Sequence, residues 1–196
     1  MWSISGLAIL LPGTCAFNTE ICLTAACSRW TQIDLYLCRL GNAIKMIEIR
    51  SIQNEIEFND MLYQRWLVLR APLGMPRGTE KDKYEDNAFH AIALWDRQIV
   101  GSARLRPLSE DLGSIAYVAI LPEFQNQGIG TQLVQKLIAI AAEQNLKTLR
   151  VMARTNVMNF YNRLGFIAEG EPFDYLDLSH IFLYYKLPAA LQLVTD

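Results

Sequence analysis

Past residue 38 the sequence has no cysteine. Its four cysteines, Cys15, Cys22, Cys27 and Cys38, all fall near the start, and the chain has only two histidines, His90 and His180. Irregular spacing, no histidine close by and no C-x-x-C pair argue against zinc or dithiol redox chemistry, and a disulfide would tie the leading segment only to itself. Long hydrophobic runs are missing as well. The apolar stretch Ile4 to Leu11 is too short to cross a bilayer, and Met1-Trp2-Ser3 before it lacks the basic start of a secretory signal. No charge of one sign dominates: Lys and Arg number 18, Asp and Glu 20, for a formal net charge of -2. That balance gives no general attraction to nucleic acid, while a local basic cleft for a small anion stays compatible with it. A cytoplasmic protein with no membrane or nucleic-acid partner is expected.

What is present is a core. With 196 residues and an apolar fraction of 52% the chain suits one compact domain. The first 45 residues carry few charges, and Met46 opens Ile47-Glu48-Ile49-Arg50, which alternates like a first strand. The expected organisation is a poorly ordered or spurious extension over 1–45, a folded domain over 46–188 and a tail over 189–196.

Asn54 followed by Glu57 resembles a capping box, and Phe58, Met61, Leu62, Trp66 and Leu69 recur at helical spacing, predicting a helix over 54–70. Pro72, Gly74, Pro76 and Gly78 end it. Runs over 88–95, 99–106 and 114–120 read as an antiparallel meander, with Asp96-Arg97-Gln98 as a tight connection. A helix over 128–143 and a strand over 148–153 complete a strand, helix, strand unit, which implies a parallel crossover. A shorter helix over 156–164 and strands at 166–169 and 180–187 close the pattern. The fold class is α/β (α+β): a mixed, mostly antiparallel sheet of about six to seven strands with flanking helices and one parallel βαβ crossover.

The segment from Val118 to Thr131 passes from strand to helix through Gly128 and Gly130. Such a turn presents unpaired amides at the positive end of a helix dipole, a site for phosphate or diphosphate. Glycine lets the anion approach without a Cβ in the way. Gln125-x-x-Gly128-x-Gly130, preceded by Ile120-x-Pro122-Glu123, resembles the acyl-CoA signature of the GNAT acetyltransferases. Asn156-Val157-Met158-Asn159-Phe160-Tyr161-Asn162-Arg163-Leu164-Gly165-Phe166 is similar to the second motif of that superfamily. Two motifs in order make a stronger likeness than either alone, and it spans about residues 46 to 187. A Rossmann fingerprint or a P-loop would need glycines and a Lys-Ser/Thr ending that are absent. The sequence departs from the common form at Asn126, often glycine, and at Gln125, more often arginine.

The resemblance implies acetyl-CoA as co-substrate and a small-molecule amine or amino acid as acceptor. It also implies that the backbone of Val118, Ala119 and Ile120 pairs with pantetheine where the fourth and fifth strands splay. Amides of Gln125, Asn126, Gln127, Gly128, Ile129, Gly130 and Thr131 would cradle the diphosphate, Asn156 would meet the pantetheine side, and Tyr161 would protonate the departing thiolate. A ring that only packs is the other reading of Tyr161. The fourth strand, Ser114 to Val118, has no carboxylate, so the base could be a water chain, Glu85, His90, Tyr117 or His180. His90 is in phase with Ile92 and Leu94 and reads equally as a core residue, so His180 is preferred. The stretch after it resembles the ElaA-like branch. Homodimers are common in the superfamily, and no residue here argues for one.

Arg65, Arg70, Arg77, Arg104 and Arg106 flank the expected acceptor cleft, most of them paired with acids between Glu80 and Asp86 or solvated. Convergence of two would favour an acceptor bearing carboxylate or phosphate. The competing reading is a GNAT-fold protein that binds acyl-CoA as a sensor or scaffold.

Overall fold

The computed structural model describes residues 46–188. The extension expected over 1–45 and the tail over 189–196 lie outside the described residues. Strand β1 (Glu48–Ser51) leads to helix α1 (Glu55–Leu69). Asn54 Oδ1 accepts from the Glu57 amide at 2.9 Å, and the Glu57 carboxylate accepts from the Gln53 amide at 2.9 Å, one residue before the cap. The capping box is therefore present with its return bond displaced by one position. Glu57 also holds Arg50 at 2.7 Å, and that partner draws its carboxyl down to about 2.

A meander follows: β2 (Phe89–Trp95), β3 (Gln98–Pro107) and β4 (Leu112–Ile120). Helix α2 (Ile129–Glu143) crosses to β5 (Thr148–Arg154), and helix α3 (Met158–Arg163) precedes the hairpin of β6 (Ile167–Tyr175) and β7 (Leu178–Lys186). The seven strands lie in the order β1-β2-β3-β4-β5-β7-β6, and β4 with β5 is the parallel pair. The expected mixed sheet and its single parallel crossover are both found.

Two hairpins close on two-residue turns without glycine. Asp96 and Arg97 (φ 51° and 66°) join β2 to β3, and Leu176 and Asp177 (φ 51° and 57°) join β6 to β7. Positive φ at both central residues is the type I′ signature, whose twist matches the strands. The edge strand β6 is longer than the run at 166–169 suggests. Gly170 (φ 81°) and Pro172 interrupt its pattern, and the pairing with β7 slips between Glu169 and Phe173 before resuming. A bulge on an edge strand accommodates both residues.

Alternation on the strands divides the core between two layers. Ile92, Leu94 and Ile99 pack with Met61 and Leu62 of α1. Val100, Ala103, Leu105, Ile115, Leu149, Val151 and Leu183 pack with Leu133 and Leu137 of α2. Each fully buried Leu or Ile contributes about 2 kcal/mol, which fixes the sheet between its helices and holds the strand ends in place. Among the described residues no helix is long and apolar enough to cross a membrane.

Candidate active site

Pairing of β4 with β5 begins at Leu112 and Thr148 and ends at Ile115 and Val151, although β4 continues to Ile120. The two strands part because β4 is bulged. Ser102 faces Ala119 and Arg104 faces Ala116, so Tyr117 and Val118 together oppose Ala103, and Tyr117 takes a φ of 53°. The extra residue bends β4 away from its neighbour. The gap opens into a cavity of about 930 Å³, lined by Val118 and Ile120 on one side and Met152 and Arg154 on the other.

The Gly128 turn forms one end of this cavity. A short 3-10 turn, Pro122–Phe124, feeds Asn126 (φ 60°) and Gly128 (φ 78°), and α2 starts at Ile129 with no side chain capping it. The amides of Asn126 through Thr131 donate to no group among the described residues. Gln125 differs: its amide closes onto the Pro122 carbonyl at 3.2 Å, and its side-chain Nε2 donates to the Ile120 carbonyl at 3.0 Å. Its side chain thus fastens the loop to the end of β4. Gln125, Asn126, Gly128, Ile129, Gly130 and Thr131 all line the cavity. A Cβ on Gly130 would come within 3.3 Å of the Phe160 ring, so glycine there lets α2 approach α3 at the cavity wall.

Tyr161 and His180 line the same cavity from α3 and β7. Tyr161 is buried, with its ring edge-on to Phe160 and Phe166, and its hydroxyl makes no hydrogen bond to a described residue. Burial pushes its pKa up, so the phenol stays protonated. His180 Nδ1 lies 2.7 Å from the Leu178 carbonyl. A carbonyl only accepts, so Nδ1 carries a proton, and in the neutral ring Nε2 is the nitrogen with the lone pair.

Of the other residues considered as base, Tyr117 lines the cavity while Glu85 and His90 do not. The guanidiniums of Arg65 and Arg104 lie 4.4 and 4.5 Å from the Tyr117 ring centroid, and burial raises the Tyr117 pKa despite those cations. Glu85 accepts from Arg65 at 3.1 Å and from Arg104 at 2.7 Å. His90 Nδ1 accepts from Arg65 at 3.3 Å and Nε2 donates to the Glu85 carbonyl at 3.3 Å. Burial, then Arg65, lowers the His90 pKa, keeping it neutral. Glu85 and His90 serve a buried ion cluster under α1.

Three residues singled out in the sequence lie off the cavity wall. Ala119 is buried, and its carbonyl accepts from Gln64 of α1 at 3.1 Å. Gln127 turns its side chain back to the Glu123 carbonyl at 3.0 Å. Asn156 is exposed in the 3-10 turn Thr155–Val157.

The arginines divide similarly. Arg65 and Arg104 pair with Glu85, and Arg104 also holds Asp82 through two bonds of 2.9 Å. Arg77 stacks near Tyr63 and Trp66, and Arg106 lies 4.0 Å from the centroid of Tyr84. Arg70 is the remaining one of the five, donating to the Thr79 carbonyl at 3.0 Å. Arg150 and Arg154, which the sequence reading passed over, also line the cavity. Their signal was available: Arg150, Met152 and Arg154 alternate with the apolar Leu149, Val151 and Ala153.

Comparisons with known proteins give the family and the fold. The family model described as Acetyltransferase (GNAT) family matches residues 52–166. YitI of Bacillus subtilis, described as an uncharacterized N-acetyltransferase, is 26% identical over 147 residues, covering 72% of this chain and 96% of its own. Escherichia coli ElaA superposes with a TM-score of 0.64 at 20% identity, over 72% of this chain and 100% of that one. A GNAT family acetyltransferase from Elizabethkingia anophelis with acetyl-CoA bound gives a TM-score of 0.55 at 20% identity, over 72% and 98%. The two structural likenesses are likenesses of fold. The family model spans more than half of the chain, and with it the chain belongs to the GNAT family of acetyltransferases, acyl-CoA-dependent N-acyltransferases.

Proposed function

We propose that this protein moves an acetyl group from acetyl-CoA to the amine of a small molecule or amino acid by direct attack on the thioester. The observation that carries the reading is the run of unpartnered amides from Asn126 to Thr131, in a turn whose Asn126, Gly128, Ile129, Gly130 and Thr131 line the same cavity as Tyr161 and His180. Those amides and the α2 dipole suit a diphosphate. The pantetheine arm then runs along Val118, Ala119 and Ile120 in the gap that β5 leaves open, with Asn156 beyond its edge.

The thioester meets the amine between Tyr117, Tyr161 and His180. His180 Nε2 takes the amine proton, directly or through one water, as nitrogen attacks the carbonyl carbon. The N–C bond forms, the C–S bond breaks, and Tyr161 gives its proton to the sulfur. A thiol's ordinary pKa is about 8.5, so thiolate already leaves well and the donor has a modest part.

Release of free thiol from acetyl-CoA in the presence of amino acids, polyamines, aminoglycosides and peptides tests this. Turnover with at least one amine supports transfer. The absence of any carboxylate on β4 motivates a second reading, an acyl-CoA sensor, and tight CoA binding without thiol release across the panel would favour it.

A further inference from the structure

We infer that the acceptor is an amine bearing a carboxylate or phosphate, held by Arg150 with Arg154; this rests on the transferase reading for the word acceptor, while the anion site rests on the cavity alone. Five arginines line the cavity, Arg70, Arg104, Arg150, Arg154 and Arg163, against one carboxylate, Asp82. That carboxylate is already taken by Arg104 through two bonds of 2.9 Å. No acid among the described residues pairs with Arg150 or Arg154. The cavity therefore keeps an uncompensated positive field, with low-dielectric walls to focus it.

Position separates Arg150 and Arg154 from the co-substrate. Leu149, Val151 and Ala153 point to the core shared with α2, so Arg150, Met152 and Arg154 occupy the opposite face of β5. The Gly128 turn lies beside α3, where Gly130 approaches Phe160. A diphosphate bound there and an anion bound by Arg150 lie on opposite sides of the sheet, joined through the gap beside Val118.

Arg150 also leans in an informative direction. Its partner across the pairing with β7 is Tyr184, yet its guanidinium stands 4.8 Å from the ring centroid of Phe182, two residues nearer His180. Arg154 is itself paired with His180. Arg154 thus stands opposite the histidine whose Nε2 makes no hydrogen bond to a described residue and Arg150 leans toward it, and a planar guanidinium resting on an aromatic ring keeps its edge donors for a two-point grip on an oxyanion. An amine with an acidic group a few bonds away spans from Arg150 to His180, whereas a polycation is repelled.

The test uses the full chain and Arg150→Gln in two measurements. Thiol release is compared for amino acids against their carboxamides, and for phosphoethanolamine against ethanolamine. Calorimetric binding of N-acetyl amino acids and of inorganic phosphate is measured with CoA present. The anionic member of a pair should be preferred about tenfold or more in kcat/KM or Kd, carboxylate and phosphate pairs telling the two sources apart. Arg150→Gln should abolish that preference and leave the KM for acetyl-CoA within about twofold. Equal use of neutral and anionic members, or a raised acetyl-CoA KM in the variant, overturns the proposal. Arg150-dependent anion binding without thiol release would uphold the site and reject the transferase reading instead.

Discussion

Ile115 is the last residue of β4 to pair with β5, and its partner is Val151. Five further residues of β4 run on beside an opening, and all but Ala119, Gln127 and Asn156 of the residues in the proposed site line it. Val118 and Ile120 form its edge, the Gly128 turn closes one end, and Tyr161 and His180 look in from α3 and β7.

The turn depends on backbone angle rather than on packing. A Cβ at Gly128 would meet nothing within 4 Å, so Gly128→Ala carries only the strain of φ 78°. The expected cost is about 1 kcal/mol of stability, with a raised KM for acetyl-CoA and little change in kcat. Thermal unfolding and steady-state kinetics check both halves.

Tyr161→Phe removes the hydroxyl proposed to protonate the departing thiolate while keeping the ring that packs on Phe160 and Phe166. A fall in kcat of about tenfold is expected, smaller than for an oxygen leaving group, with the KM for acetyl-CoA unchanged. Because burial raises the Tyr161 pKa, the wild-type rate should show no loss from this group up to pH 10, the ordinary tyrosine value. Identical rates for both proteins between pH 6 and 10 would remove the acid role.

His180→Asn keeps a polar side chain and removes the Nε2 lone pair. Most of kcat/KM should be lost while CoA binding is kept. Activity close to that of wild type would point to a water chain as the base.

Glu85 holds Arg65 and Arg104 beneath Tyr117, with both guanidiniums buried. Glu85→Ala leaves two buried cations short of a partner and should cost about 3–5 kcal/mol, measured by denaturant unfolding. Asp82 is a milder case. Its hydrogen bonds from Arg104 draw its carboxyl from 3.8 to about 2, so its contribution is complete above pH 4 and fades as pH falls toward 2. Because its side chain is 35% exposed, Asp82→Asn should cost only about 1 kcal/mol at neutral pH, and the difference from wild type should close in acid.

The sequence was most legible where local chemistry decides structure. Asn54 and Glu57 mark the start of α1, the apolar spacing marks α2, and Gly128 marks the turn. Glycine-free hairpin turns hid the length of β6, since Leu176 and Asp177 carry no turn signature strong enough to outweigh Gly170 and Pro172. Side-chain partners were the least legible. Glu85, His90, Tyr117 and His180 were all open as bases, with His180 preferred over His90, and only the three-dimensional register shows Glu85 and His90 tied to Arg65 while Tyr117 and His180 border the cavity. Arg150 shows the same limit, because being unpaired is a property of neighbours far away in the chain.

The central claim is that the unpartnered amides from Asn126 to Thr131 bind the diphosphate of acyl-CoA. Calorimetric titration of the full chain with acetyl-CoA and with acetyl-pantetheine, which keeps the thioester arm and lacks the diphosphate together with its 3′-phosphoadenosine, tests it most directly. Acetyl-CoA should bind more tightly by about a hundredfold, from several charge-assisted hydrogen bonds acting together. Equal affinity for the two would contradict it.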